Sequence, residues 1–184
     1  FIYQDLNNDG VIDEKDRAPM GYSHSPQQEF SLVGGFIWKN WDFSFLFHGV
    51  RNSSQFLGGV GAFENQGKGI FNDIHLNAWT PERYAAGEEI PFPALSLSPS
   101  TNHVANDFFL TDRSYLRLRN VELAYTLPQE LADKIHSERI RVRLNIQNLF
   151  TIDNMNSKYI DPEIGSMSTF QPYRVFNIGI SANF

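Results

Sequence analysis

The sequence predicts an all-β fold of antiparallel strands, each with one apolar and one polar face. Five segments alternate apolar and polar residues with a period of two, which is the side-chain repeat of a β-strand. Very short turns join some of these segments, and long connections rich in Gly, Asn, Ser and Pro separate others. Only one short stretch has a helical pattern. These observations favour a meander of strands with long loops at one end.

The predicted strands and turns follow directly from this alternation. In the clearest strand, Trp41, Phe43, Phe45 and Phe47 share one face. In another strand the alternation changes phase near Arg119, so we expect an inserted residue, a β-bulge, at this point. A two-residue turn is predicted at 39–40 and a helix at 128–135, with Pro128 in its first turn. The five predicted strands are 30–38, 41–48, 115–127, 139–150 and 176–184.

Composition excludes several classes of function. The chain has 184 residues and a net charge of −6, which argues against a nucleic-acid surface because phosphate binding needs clustered positive charge. It has no cysteine, and therefore no disulfide or thiolate metal site. No apolar run approaches the roughly 18 residues of a membrane-spanning helix.

The chain begins at Phe1 without an initiator Met or a signal peptide, so we expect it to be the interior of a longer protein.

The polar face of the strands bears on the choice between a soluble β-sandwich and a membrane β-barrel. Both folds alternate, but only the barrel turns its apolar face outward to lipid. The apolar face is aromatic at one end, where Trp38, Trp41, Tyr125 and Phe184 would form an interfacial girdle. This favours a barrel, and a calcium-stabilised carbohydrate-binding or adhesion sandwich is the alternative. Five strands cannot close a barrel, so we expect the end of a larger one.

Residues 5–16 match an EF-hand-type calcium loop at nearly every position. Gly10 permits the sharp bend at loop position 6, and Ile12 is the usual apolar anchor. Asp16 replaces the usual Glu at position 12, and its shorter side chain is less suited to a bidentate contact with the ion. The alternative is a turn rich in Asn and Asp. The predicted calcium ligands are Asp5, Asn7, Asp9, the Val11 carbonyl, Asp13 and Asp16.

No arrangement of residues predicts catalysis. The five histidines form no HxH or HExxH pair, and there is no GxSxG motif. The carboxylates of Glu88-Glu89 and Asp161-Pro162-Glu163 lie in loops without a supporting pattern. We therefore expect a protein that is not an enzyme.

Several blocks along the chain together carry a family resemblance. They are the 5–13 run with Asp16-Arg17, Trp41-Asp42-Phe43-Ser44, Ala78-Trp79-Thr80-Pro81-Glu82, the 109–128 block containing Ser114-Tyr115-Leu116-Arg117-Leu118-Arg119-Asn120, Gln147-Asn148-Leu149-Phe150-Thr151, Asp161-Pro162-Glu163 and the terminal Phe184. In this order they resemble the C-terminal end of the SusC/RagA family of TonB-dependent outer-membrane transporters. The similarity covers essentially the whole chain, and the 114–123 run is the most specific part.

The resemblance implies that residues 1–184 are the last five or so strands of a transmembrane barrel of about 22 strands. Such a barrel sits in the outer membrane of a Gram-negative bacterium and is closed by an N-terminal plug, which would lie upstream. It imports oligosaccharides or peptides with energy supplied through TonB, and a SusD-type surface lipoprotein acts as its lid.

The same resemblance fixes the expected orientation. A C-terminal strand of this kind ends at the periplasmic face, so the 39–40 turn and the 128–135 helix would be periplasmic. The calcium loop and the long connections 51–112 and 151–172 would be extracellular, close to the lid.

Overall fold

The structure is a computed structural model that describes residues 1–59, 62–64, 71, 73–155, 160–164 and 169–184. Within these residues no helix is both long and apolar enough to cross a membrane. Short 3-10 turns occur at Glu14–Asp16, Asp73–His75 and Thr101–His103. The strands and helices are β1 (Gln28–Trp38), β2 (Trp41–Arg51), β3 (Ser54–Phe56), α1 (Pro81–Ala85), β4 (Leu110–Asp112), β5 (Tyr115–Thr126), α2 (Gln129–Asp133), β6 (Arg139–Asp153) and β7 (Val175–Asn183).

Five of the strands form one antiparallel sheet in the order β1-β2-β5-β6-β7. These are the five strands predicted from the alternation, and their ends differ from the prediction by a few residues. The largest differences are at β2 and β6, each of which continues three residues further, to Arg51 and Asp153. The prediction of an antiparallel all-β sheet is therefore confirmed.

The tight turn at 39–40 joins β1 and β2, as predicted. Trp38 lies opposite Trp41, and Lys39 has a left-handed backbone with φ 54°. Trp41 in turn pairs with Tyr125 on β5, with ring centroids 4.6 Å apart. Phe184 directly follows β7 at this same end of the sheet. The four aromatic residues predicted to share one end do so.

The β-bulge predicted near Arg119 is also confirmed. Leu46 and Phe47 are consecutive on β2 but pair with Asn120 and Leu118, so Arg119 is the extra residue. The sequence did not reveal a second irregularity on β6, where Gln147 and Phe150 pair with Asn120 and Leu118. The second bulge includes Asn148, whose φ of 52° is left-handed. Asn tolerates this conformation better than most residues do.

The apolar side chains form one continuous surface across all five strands. One row contains Phe36, Phe43, Leu123, Leu144 and Ile178, which are neighbours in the registers of successive strand pairs. Ile178 is 79% exposed, and the surface as a whole is open. A soluble sandwich would need a second sheet over this face. The described residues provide no second layer on this side.

On the apolar face, two phenylalanine rings lie across glycines of the neighbouring strand. A Cβ on Gly34 would come within 2.6 Å of the Phe45 ring, and one on Gly49 within 2.3 Å of the Phe30 ring. The absence of a side chain at these glycines lets each ring lie flat against the backbone. The same covering of strand glycines by aromatic rings is used to stabilise sheets.

The 51–112 connection contains more structure than the sequence predicted. β3 and β4 pair as a small separate sheet, and a buried apolar cluster forms around Phe63, Phe92 and Phe109. The expectation of a single helix was wrong, because α1 begins at Pro81 after the N-cap Thr80, whose Oγ1 accepts a hydrogen bond from the Arg83 amide. The predicted 128–135 helix exists, but it is shorter, at Gln129–Asp133. The apolar core of the chain therefore lies in its loops.

Candidate functional site

A row of four polar side chains lies along the start of β5. Alternate residues of a strand share a face, which places Arg113, Tyr115 and Arg117 on the polar side of the sheet. Because of the bulge, the consecutive residues Arg119 and Asn120 both face this side. All four side chains contact residues 161–163, which fold back from the loop between β6 and β7.

Arg117 is the centre of this network and is 1% exposed. Its Nη1 donates to Oε2 of Glu163 at 2.7 Å, its Nη2 donates to Oδ2 of Asp161, and its Nε donates to Oγ1 of Thr151 at 2.9 Å. A guanidinium has a planar fork of donors that suits two carboxylates at once. Because a buried charge is stable only when it is paired and hydrogen-bonded, Arg117 requires these partners.

Glu163 receives donors from three side chains of the row. The Tyr115 hydroxyl donates to its Oε1 at 2.6 Å, and Arg119 Nη2 donates to the same oxygen. Burial raises the pKa of the Glu163 carboxyl, but the Tyr115 hydrogen bond and the charges of Arg117 and Arg119 outweigh it. The net result is a pKa below the usual range, so Glu163 is ionised at neutral pH.

The backbone of the same segment is held by Arg113. Its Nε donates to the Pro162 carbonyl at 3.0 Å, and its Nη2 donates to the Glu163 carbonyl at 3.4 Å. Arg113 Nη1 also lies 3.0 Å from Nε2 of His24, in the stretch that leads into β1. Burial lowers the pKa of Arg113 despite the opposing effects of Tyr115 and Glu163. Arg113 therefore links both the 161–163 segment and the stretch before β1 to the start of β5.

His48 extends the network to β1 and β2. Its Nε2 lies 2.9 Å from Oε1 of Glu29, and its Nδ1 lies 3.0 Å from the Tyr115 hydroxyl. Arg119 Nη2 is 3.3 Å from the same Nδ1. Side chains from β1, β2, β5 and β6 thus meet the 161–163 segment at one end of the polar face.

The other end of the polar face carries a smaller ion pair. Arg141 Nη2 donates to Oδ2 of Asp42 at 2.7 Å and lies 3.9 Å from Oε1 of Glu122. The pair joins β6 to β2 across β5, where Ala124 is 1% exposed. Nearer the middle of the sheet, Asn145 donates to Asn120 at 2.8 Å. The polar face is therefore cross-linked from end to end.

The predicted calcium loop at 5–16 has its carboxylates turned toward its own backbone. Asp5 accepts the amides of Asn8 at 2.6 Å and Gly10 at 2.8 Å. Asp16 accepts the Asp13 and Leu6 amides, both at 2.8 Å. The Asp13 amide bond is the main cause of a lowered Asp16 pKa. These bonds close the loop into a compact turn, with Gly10 at φ 81° as the predicted bend.

The fit of this loop to an ion is incomplete in the described residues. No three acidic or histidine side chains within them converge as a metal cluster. Lys15 Nζ lies 3.7 Å from Oδ2 of Asp9 and 3.8 Å from Oδ2 of Asp13, at the edge of the loop. The ligand set of Asp5, Asn7, Asp9, Val11, Asp13 and Asp16 stays a prediction.

The 51–112 connection contains a cavity and a buried contact between Glu64 and His103. The cavity, of about 600 Å³, is lined mainly by Phe71, Leu76, Trp79 and Leu95. In the cluster itself, Glu64 is 2% exposed and lies 3.1 Å from Nε2 of His103. Burial raises the pKa of Glu64, but the Ser96 amide and His103 hold it below its ordinary value. The pair connects two parts of the long loop.

Sequence reasoning missed the role of Asp161-Pro162-Glu163, which it assigned to an unsupported loop. The structure brings this segment against four residues that are 42–50 positions away in the sequence. The β5 half of the network was visible in the sequence, because polar residues alternate from Arg113 to Arg119 before the phase change. Nothing local to residues 161–163 indicated their partners.

No family model matches the chain. Three solved structures share its fold over nearly its whole length. The RagAB peptide transporter matches with a TM-score of 0.68 and 24% identity over 95% of the chain. The open-open and closed-closed states of the RagAB peptide importer match with TM-scores of 0.64 and 0.65, each at 23% identity, over 95% and 96% of the chain. The matched region is 19–20% of each of these chains. The chain thus shares the fold of one part of these structures.

Two curated relatives come from Formosa agariphila. TonB-dependent receptor P26 is 28% identical over 162 residues, covering 88% of this chain and 16% of the relative. TonB-dependent receptor P3 is 24% identical over 201 residues, covering 100% of this chain and 19% of the relative. The chain therefore spans less than a fifth of the length of these relatives. Its sequence and fold are similar to those of a segment of these receptors, in agreement with the resemblance to the SusC/RagA family.

Proposed function

We propose that the intact protein imports oligosaccharides or peptides across the outer membrane of a Gram-negative bacterium. Residues 1–184 would be its C-terminal barrel segment, with the five-stranded sheet as part of a wall of about 22 strands. The apolar face would contact lipid, and the polar face would line the interior. The role is transport and not catalysis.

The observation that carries this proposal is the two-faced, single-layered sheet. An apolar surface that crosses five strands far exceeds the few hundred Å² that soluble monomers usually expose. The opposite face carries ion pairs and amide contacts, such as those of Arg117 and Arg141. Lipid on one side and water on the other satisfy both faces. The alternative, a soluble carbohydrate-binding or adhesion module, would need a second layer over the apolar face, and the described residues supply none.

Partners follow from the same family. A SusD-type surface lipoprotein would cover the extracellular loops, and TonB would act through residues upstream of this segment. Two of the structural neighbours are the open-open and closed-closed states of a peptide importer. They support a peptide among the candidate substrates and a mobile assembly. Between peptide and oligosaccharide the choice is left to experiment.

We also propose that the 5–16 loop binds one calcium ion on the extracellular side. The all-oxygen donor set and the bend at Gly10 support this. The flanking residues Phe1 and Tyr3 attach the loop to the 51–112 connection, because the Phe1 and Phe108 ring centroids are 5.0 Å apart and the Tyr3 hydroxyl accepts from Asn106 at 3.1 Å. The ion would brace a surface loop and take no part in transport itself.

The test uses the full-length gene in its native host. Fractionation should place the protein in the outer membrane, and deletion should abolish growth on either a peptide mixture or an oligosaccharide mixture as sole nutrient. Complementation with the intact gene is the control. A protein recovered in the soluble fraction without detergent would refute the importer and support the sandwich module. Loss of growth on one nutrient only would identify the substrate class.

A further inference from the structure

We propose that Arg117 is a positioning residue that holds residues 161–163 inside the barrel as a constriction of the substrate passage. The inference rests on the proposed function, because the polar face is the interior only if the sheet is part of a barrel. It assigns a role to a loop segment and to an arginine that would not itself touch the substrate.

The first step is the side of the sheet on which the segment lies. Arg117 pairs in register with His48 on β2 and Thr151 on β6, and all three are on the polar face. The adjacent Leu118 pairs with Phe47 and Phe150 on the apolar face. A segment that bonds to Arg117, Tyr115 and Arg119 therefore lies on the polar side, within the proposed passage.

The second step is how firmly the segment is held. Side chains from positions 113 to 119, spread over about 20 Å of extended chain, converge on three residues. Arg117 bridges both carboxylates of the segment, and Arg113 holds its backbone carbonyls. A loop that moved freely in solvent would not keep a guanidinium buried against its carboxylates, so the segment is held in a fixed position.

The third step is the consequence for the passage. A segment held against the interior wall takes up width at the extracellular end of the barrel, where the long loops also lie. Loss of the Arg117 fork leaves Asp161 without its arginine partner and Glu163 held only by Arg119 and Tyr115. The segment should then move away from the wall, and the passage should admit larger solutes.

The experiment uses the full-length receptor in outer membranes, with Arg117→Lys and Arg117→Gln. Lysine keeps the charge but has a single nitrogen, so it cannot bridge two carboxylates and bond Thr151 as the fork does. Arg141→Gln is the matched control, because Arg141 lies on the same face but pairs with Asp42 and Glu122 rather than with the 161–163 segment. Heat-modifiable migration on gels confirms that each barrel is assembled.

Two readouts separate positioning from general stability. Residues 1–184 contain no cysteine, so in a full-length receptor whose other cysteines are replaced by serine, Ile164→Cys introduces a single thiol beside the segment that a membrane-impermeant maleimide labels from outside. Passage width is read independently as sensitivity of the cells to vancomycin, which intact outer membranes exclude, with each variant expressed without its N-terminal plug so that only the barrel interior limits entry. Both Arg117 variants should label about tenfold faster and sensitise the cells, whereas Arg141→Gln should behave as the unmodified receptor.

The possible outcomes are distinct. Assembled Arg117 variants that label at the unmodified rate would overturn the positioning role, and faster labelling without vancomycin sensitivity would overturn the constriction. If the Arg117 variants do not assemble, Asp161→Asn removes the charge of one of the two carboxylates that Arg117 bridges, and it is judged by the same two readouts. If the unmodified receptor supports no growth on peptides or oligosaccharides, the importer proposal fails, while the labelling result still decides where the segment lies.

Discussion

Replacing Ile146 with arginine tests the assignment of the apolar face to lipid. Ile146 is the middle residue of β6, seven residues from Arg139 and seven from Asp153. At about 3.3 Å per residue, it lies about 23 Å along the strand from either end. For a strand tilted about 40° this is about 18 Å of depth, so Ile146 falls near the bilayer midplane.

The expected cost follows from this depth. An arginine on the lipid face near the midplane destabilises a barrel by about 2–4 kcal/mol. The matched control is Gln147→Arg, one residue along the same strand and on the opposite, polar face. Because that side would meet water, the control should change the free energy of unfolding by less than about 0.5 kcal/mol.

The assay is urea unfolding of the full-length barrel in lipid vesicles, followed by tryptophan fluorescence and gel migration. The expected result is a large shift of the midpoint for Ile146→Arg and little shift for Gln147→Arg. Equal effects of the two substitutions, or a larger effect of Gln147→Arg, would refute the assignment of faces. A soluble sandwich with the polar face outward would be disturbed by Ile146→Arg in water without any lipid, and this is checked by repeating the titration in detergent-free buffer.

Three further results are expected. Gly34→Val should destabilise the barrel by about 1–3 kcal/mol in the same titration, because its Cβ would lie within 2.6 Å of the Phe45 ring; full stability would show that the ring is not held there. Substituting Asp5 and Asp9 together by alanine should abolish calcium binding in calorimetry, and undiminished binding would contradict the predicted ligand set. The depressed pKa of Glu163 makes its ionised form stabilise the folded segment above the ordinary value of 4.5, and this contribution is lost as the pH falls through the lower folded pKa. Because maleimide reacts with the thiolate, the labelling rate of Ile164→Cys is divided by that of a free thiol at the same pH; this ratio should rise only in that acidic range, and a rise near neutral pH would contradict the assignment.

The sheet was predictable from the sequence because its information is local. An alternation such as Trp41-Phe43-Phe45-Phe47 specifies a strand and its two faces, and a change of phase at Arg119 specifies a bulge. The bulge at Asn148 was missed because it lies after the polar residue Gln147, where an extra polar residue leaves the pattern almost unchanged. The sequence therefore predicts the type of each element, but not the exact register between paired strands.

The candidate site was only half predictable, for the opposite reason. The arginines on β5 are visible as alternating polar residues, but their partners at 161 and 163 are more than 40 positions away. Ion pairs carry no periodic signal, and a carboxylate in a loop has the same local context whether or not it is paired. The loop cluster was missed similarly, since Phe63, Phe92 and Phe109 are isolated aromatics in polar stretches.

The distribution of these contacts explains how the segment divides its stabilising interactions. The sheet has no apolar core, because its outer side chains would pack on lipid and its backbone groups are satisfied by strand pairing. Apolar burial is concentrated in the loops around Phe63 and Phe109, which are surrounded by water on the extracellular side in the proposed orientation. The charged network at Arg117 joins the sheet to a different loop, since its members come from the strands and from the 161–163 segment. A wall fixed by backbone hydrogen bonds leaves that network free to set the position of a loop. For this reason a change at Arg117 should alter the passage more than it alters the stability of the barrel.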